Sequence, residues 1–220
     1  MITTNAAGAV DNLSEADQIA VVKRNGFAIR RIVNPSLAVQ LAAVEDTGLA
    51  IEYIAKPSLA VQIAAVKNDP DSIQWIKNPS DAVQIAALNA DTDALEHISN
   101  PSLAVQLAAV QRDGYAIRLI KKPREAVQLA AVNENGQAIR YIKNPSLSVQ
   151  LAAVRKSMYA IQYIVIPSQQ VAILALLNLY NYDYPGSIIS LLTDELTRIH
   201  KLYPDLDELN TIATEMGITL

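Results

Sequence analysis

Along most of this chain the apolar positions recur in one block, repeated every 22 residues. NPSLAVQLAAVEDTGLAIEYIA is followed by KPSLAVQIAAVKNDPDSIQWIK and NPSDAVQIAALNADTDALEHIS, and prolines fall at 35, 57, 79, 101, 123, 145 and 167. Stepping back 22 from Pro35 reaches Leu13, where LSEADQIAVVKRNGFAIRRIV is the same unit without its proline. Seven full repeats run from 13 to 166 with no insertion or deletion, and an eighth opens at Pro167 and decays after Leu176. Self-similarity at such a period marks a repeat architecture.

Positions are numbered here from the proline of each repeat. Positions 1 to 10, PSLAVQLAAV, predict a first helix that is nearly apolar all round and so covered on most sides. Asn34, Asn78, Asn100 and Asn144 precede the proline and are expected as N-caps, with proline at the first helical position, where its missing N–H costs nothing. The Asn25-Gly26, Asp113-Gly114 and Asn135-Gly136 pairs, at positions 13 and 14, stand where a chain leaving a helix takes a left-handed residue. Positions 15 to 21, such as QAIRYIK, predict a second short helix. Its apolar face is the alanine at 16 with the isoleucines at 17 and 20, for example Ala138, Ile139 and Ile142.

Two helices of about two turns each cannot bury a core alone. Stacked side by side they can, each repeat touching only its neighbours. The predicted fold is all-α: a right-handed α-solenoid of seven to eight 22-residue two-helix repeats with a C-terminal helical cap. With helices about 10 Å across, eight layers make a curved rod on the order of 80 Å long. The expected organisation is an N-terminal lead over 1–12, solenoid repeats over 13–176 and a C-terminal helical capping subdomain over 177–220. In that subdomain Ser187 is expected to cap a helix to about Tyr203, and Pro204-Asp205 to start another that Gly217 ends. The apolar run IVIPSQQVAILALL, in which Ile166 replaces the asparagine, fits burial under the cap. The alternative is that Tyr180, Tyr182 and Tyr184 form a partner-binding loop.

The motif N-P-S-x-A-V-Q-L-A-A-V-x-x-x-G-x-A-I-x-Y-I-K resembles a family of short α-hairpin repeats of unknown function found in phage, large-virus and bacterial proteins. It is also similar to HEAT-type and leucine-rich-variant solenoids. The resemblance covers 13 to about 176. It implies a binding scaffold and a viral or mobile-element origin, and it carries over no catalytic residue.

Composition narrows the chemistry. The 220 residues include no cysteine, which excludes disulfides and thiolate metal sites, and two histidines, too few for a multi-histidine centre. The net charge is −4 and the pI near 5.2, which argues against a general nucleic-acid coat but not against a local basic patch. The N-terminus has neither the basic nor the apolar region of a signal peptide. The longest apolar run, Val171 to Leu177, is far below the roughly 20 residues of a membrane span. A cytoplasmic, soluble protein is expected, in the host cytoplasm if viral. No Walker A loop, G-x-S-x-G or H-E-x-x-H occurs, and His200 reads as a surface residue, so no enzyme and no cofactor is expected.

Four constellations stand out. Gln18, Gln40, Gln62, Gln84, Gln106, Gln128 and Gln150 all occupy position 6. Flanked by apolar residues, each amide needs a partner. A structural ladder to the neighbouring repeat or the inter-helix turn is favoured over a groove-lining stripe, because a specific partner would meet different side chains along the rod. Position 19 reads Arg31, Tyr53, Trp75, His97, Leu119, Tyr141 and Tyr163, and position 18 includes Arg118 and Arg140. These vary while the core stays fixed, and they are types that anchor interfaces. They therefore predict a partner-binding ridge, or else side chains that merely lean over the next repeat's edge.

Charge segregates as well. Residues 45–96 hold nine acids and three bases, whereas 101–156 hold three acids and nine bases. The basic set beside Arg118 and Arg140 is Arg112, Lys121, Lys122, Arg124, Lys143, Arg155 and Lys156, at positions that need not form one patch. Asp69, Asp71, Asp91 and Asp93 lie in turns, where ordinary turn chemistry explains them better than a metal does, and no metal site is expected. The leading functional expectation is a non-enzymatic scaffold, adaptor or inhibitor that engages a protein through the ridge. The alternatives are a nucleic-acid or nucleotide binder using the basic half, and a self-assembling rod that forms a homodimer by acidic-to-basic pairing.

Overall fold

The computed structural model describes residues 13–180 and 189–205, with 207, 210, 211 and 214. The lead over 1–12, Ser187, Gly217, Tyr182 and Tyr184 lie outside the described residues. The chain divides into two compact units, Met1–Ala109 and Val110–Leu220. Every regular element among the described residues is helical.

The first unit holds α1 (Glu15–Val22), α2 (Leu37–Asp46), α3 (Leu59–Asn68), α4 (Asp81–Ala90) and the start of α5 (Leu103–Arg112). The second holds the end of α5, α6 (Glu125–Glu134), α7 (Leu147–Lys156), α8 (Gln169–Tyr180) and α9 (Ile189–Leu202). Each of α1 to α7 is followed by a six-residue 3-10 helix, from Gly26–Arg31 in the first repeat to Met158–Tyr163 in the seventh. In the first unit α1 to α4, and in the second α6 to α8, pack side by side in order, and successive 3-10 helices pack in a second row beside them. This is the sequential packing of an α-solenoid, as the 22-residue period predicts.

The core repeats with the sequence. Position 5 (Val39, Val61, Val83, Val127, Val149), position 9 (Ala43, Ala65, Ala87, Ala131, Ala153) and position 10 (Val44, Val66, Leu88, Val132, Val154) are sealed from solvent. Positions 17 and 20 meet them from the 3-10 row, as Ile29 and Ile32 do, or Ile139 and Ile142. Each such valine or isoleucine contributes about 1.5–3 kcal/mol by burial.

The second helix is 3-10 rather than α, and the geometry suits its pattern. With three residues per turn, positions 14, 17 and 20 eclipse, so glycine and both isoleucines face inward together (Gly136, Ile139 and Ile142 are all buried). An Asx side chain at position 13 starts the element: Asn25, Asp69, Asp91, Asp113 and Asn135 each accept from the N–H two residues on. It ends where the position-20 isoleucine turns extended and donates back to position 17, as Ile142 does to Ile139 at 2.9 Å.

Three local expectations are corrected. The N-cap of the first helix is the serine at position 2, not the asparagine. Ser36, Ser58 and Ser146 accept from the N–H three residues on. Asn34, Asn78, Asn100 and Asn144 instead turn the chain in the left-handed region at φ 49–55°, as does Lys122 at φ 52°, so proline lies before the cap. The glycines at position 14 do not supply a left-handed turn. They give room: a Cβ on Gly136 would stand 2.5 Å from the Ala153 carbonyl of the next repeat. Nor is the first helix covered all round, since Leu37, Leu59, Leu103 and Leu147 at position 3 are exposed.

Beyond the seventh repeat, Val171, Ala172 and Ala175 of α8 are buried, whereas Val165 and Ile166, which end that repeat, are exposed, against the burial expected of them. Helix α9 buries Leu196 and Ile199. Its Arg198 donates to the carbonyls of Ile161, Ile164 and Val165 at 3.1–3.2 Å, placing positive charge at the C-terminal end of a helix. The Tyr203 hydroxyl donates to the Pro167 carbonyl. No helix among the described residues is long and apolar enough to cross a membrane.

Candidate functional site

The 3-10 row carries exposed side chains that change from repeat to repeat, aromatic residues and arginines among them. Because positions 14, 17 and 20 point inward, positions 15 and 18 point out, and position 19 stands at the edge. At position 18, Arg30, Glu52, Gln74, Glu96, Arg118, Arg140 and Gln162 are all exposed. At position 19, Arg31, Tyr53, Trp75, His97 and Tyr141 are exposed, and Leu119 and Tyr163 half-buried.

Position 15 completes the surface, and the sequence reading missed it. Its side chain meets position 19 of the following repeat, 26 residues on. Phe27 and Tyr53 pack edge to face with centroids 6.2 Å apart, and Tyr115 and Tyr141 do the same at 5.9 Å. Asp71 pairs with His97 at 3.5 Å by the same rule. The signal was available: position 15 reads Phe27, Leu49, Asp71, Asp93, Tyr115, Gln137 and Tyr159, as varied as its neighbours.

In the second unit the ridge condenses around Arg140. Its guanidinium carbon lies 4.8 Å from the ring centroids of Tyr115 and Tyr141 and 5.8 Å from that of Tyr163. Its Nη2 donates to the Tyr141 hydroxyl at 2.8 Å. Hydrogen bonding to Tyr141, then to Tyr163, holds the Arg140 pKa above its usual value.

The other predicted residues fall elsewhere. Arg112, Lys121, Lys122, Arg124, Lys143, Arg155 and Lys156 are exposed but divide between two edges. Arg112, Arg155 and Lys156 end the α-helices, while Lys121, Lys122, Arg124 and Lys143 lie on the connections that enter them. A ten-residue helix separates those edges by about 15 Å. The glutamines are placed inside each repeat: every Nε2 donates to the carbonyl five residues back, from Gln18 to Leu13 through Gln150 to Pro145, at 2.8–3.2 Å. That carbonyl belongs to the turn entering the glutamine's own helix.

Polar ties between repeats come from the position-14 N–H and the cap serine, not from the glutamines. The position-14 N–H donates to a position-12 side chain of the next repeat: Gly26 to Asp46, Gly48 to Asn68 and Gly114 to Glu134, each at 2.7 Å. Pro70 has no N–H to give, and Ala90 stands opposite with no acceptor. The cap serine donates back to an acid at position 3 of the preceding repeat: Ser36 to Glu15, Ser102 to Asp81 (2.7 Å) and Ser146 to Glu125 (2.5 Å).

Asp69 and Asp91 accept from the N–H groups of Asp71 and Asp93, and no group of three metal-ligating side chains occurs among the described residues. His200 is half-buried, its Nδ1 without a partner. No family model, curated protein or solved structure matches the chain.

Proposed function

We propose that the protein is a non-enzymatic binding scaffold, an adaptor or inhibitor that engages a protein partner through the 3-10 ridge. One observation carries this. Positions 15, 18 and 19 are the outward positions of a row whose inward isoleucine positions, 17 and 20, scarcely vary, and they hold Phe27, Tyr53, Trp75, Tyr115, Arg140 and Tyr141. Aromatic and arginine side chains supply most interface hot spots. Here the edge-to-face pairs and the Arg140 contacts restrain Phe27, Tyr53, Tyr115, Tyr141 and Arg140 before any partner arrives, so docking costs less side-chain entropy. A phage- or mobile-element protein acting on a host complex is the setting implied by the repeat's resemblance, and it rests on that resemblance alone.

The test is replacement of Tyr53, Trp75, Tyr141 and Tyr163 by alanine. Partner capture from lysate of the source or host cell is expected to fall at least about a hundredfold, since hot-spot truncations cost about 2 kcal/mol or more. The helical circular dichroism should stay unchanged, because none of the four is a core residue. Undiminished capture by the folded variant would remove the ridge from the account.

A further inference from the structure

We propose that the cluster of Arg140 with Tyr115, Tyr141 and Tyr163 is a carboxylate-binding site that docks an aspartate- or glutamate-rich segment of the protein partner. This deepens the ridge proposal and rests on it. Three observations converge on the site. The guanidinium is held among three rings and hydrogen-bonded to the Tyr141 hydroxyl, yet Arg140 is exposed. An arginine so restrained presents its planar fork with less entropy to lose, and that fork matches a carboxylate in two parallel hydrogen bonds.

No carboxylate of the chain takes this place among the described residues. The three acids between 110 and 156 are committed elsewhere: Asp113 accepts from Tyr115 N, Glu125 from Ser146 Oγ and Glu134 from Gly114 N. Exposed Lys143 stands three residues on, just past the end of the 3-10 helix, and adds to the positive field. Among the described residues neither Arg140 nor Lys143 is ion-paired.

The rings point to a peptide rather than to nucleic acid. Single-stranded nucleic acid is held by bases stacking on open aromatic faces. Tyr115 and Tyr141 pack edge to face, and the guanidinium covers their π-systems. Arg140 is exposed, and the guanidinium N–H groups not given to Tyr141 suit an anionic side chain.

The experiment is fluorescence anisotropy of the full chain with two labelled probes, decaglutamate and the oligonucleotide dT10. Wild type, R140Q, R140K and K156Q are compared. Lys156 is an exposed base at the end of α7, away from the cluster, so K156Q makes the same charge change elsewhere. Decaglutamate is expected to bind wild type, about tenfold more weakly to R140Q and about threefold more weakly to R140K, with K156Q within about twofold. Equal losses in R140Q and K156Q would mean diffuse attraction, and binding unchanged in R140Q, or absent in wild type, would also overturn the site. Tighter binding of dT10 that R140Q abolishes would make the ligand a nucleic acid. Should decaglutamate fail while the alanine ridge variant still loses its partner, only the carboxylate assignment falls. Should that variant keep its partner, the ridge itself falls.

Discussion

Ser72 occupies position 16, where the other six repeats carry alanine, and it is fully buried with its hydroxyl unpartnered. A buried hydroxyl without a partner costs about 1–3 kcal/mol. S72A should therefore raise the urea midpoint, by about 1 kcal/mol of stability or more, with the m-value unchanged. A destabilised S72A would show that the hydroxyl is satisfied after all. Single residues also mark where the sequence was hardest to read. Asparagine and serine are both good N-caps, so composition could not choose between Asn34 and Ser36. The choice is made by a left-handed turn at φ 52°, which asparagine tolerates. The glycines misled in a similar way. Left-handed freedom and steric room leave the same letter in the sequence, and only the carbonyl of the next repeat tells them apart.

Among the elements, the α-helices were legible nearly to their ends, because alanine, valine and leucine at fixed positions agree with helix propensity and with burial. The 3-10 character of the second row was not. Isoleucines at positions 17 and 20 fit one face of an α-turn as well as of a 3-10 turn, and the difference rests on the Asx start and the extended isoleucine end. The cross-repeat caps make a prediction at this scale. Ser146 both caps α7 and donates to Glu125 of the repeat before, whereas Ser80 makes no side-chain cap bond. S146A should cost about 1 kcal/mol and S80A less than about half that, measured by thermal or urea unfolding. Equal costs would mean that the carboxylate and cap bonds of Ser146 add nothing.

Across the molecule, the period of 22 conveyed the architecture and the variable positions conveyed part of the candidate site. Position 18 and position 19 were visible because they vary against a constant core. Position 15 came to notice only through its contact 26 residues ahead, since pairing between repeats depends on how far each 3-10 helix is offset from the next. The partner's chemistry was written only coarsely, in charge: 45–96 is acidic and 101–156 basic.

The first unit also exposes apolar side chains on its α-helices, Leu37 and Leu59 at position 3, so a test of the 3-10 ridge as the working surface must separate the two. The direct measurement places a photo-crosslinking benzoylphenylalanine at Glu52 on the ridge, or at Leu59 on the α-helix row, in the full chain. Each is irradiated in nuclease-treated lysate of the source cell. Both residues are exposed, so each probe can report. A discrete protein adduct from position 52 and none from position 59 is the predicted result. An adduct from position 59 alone would move the binding surface to the α-helix edge and contradict the account.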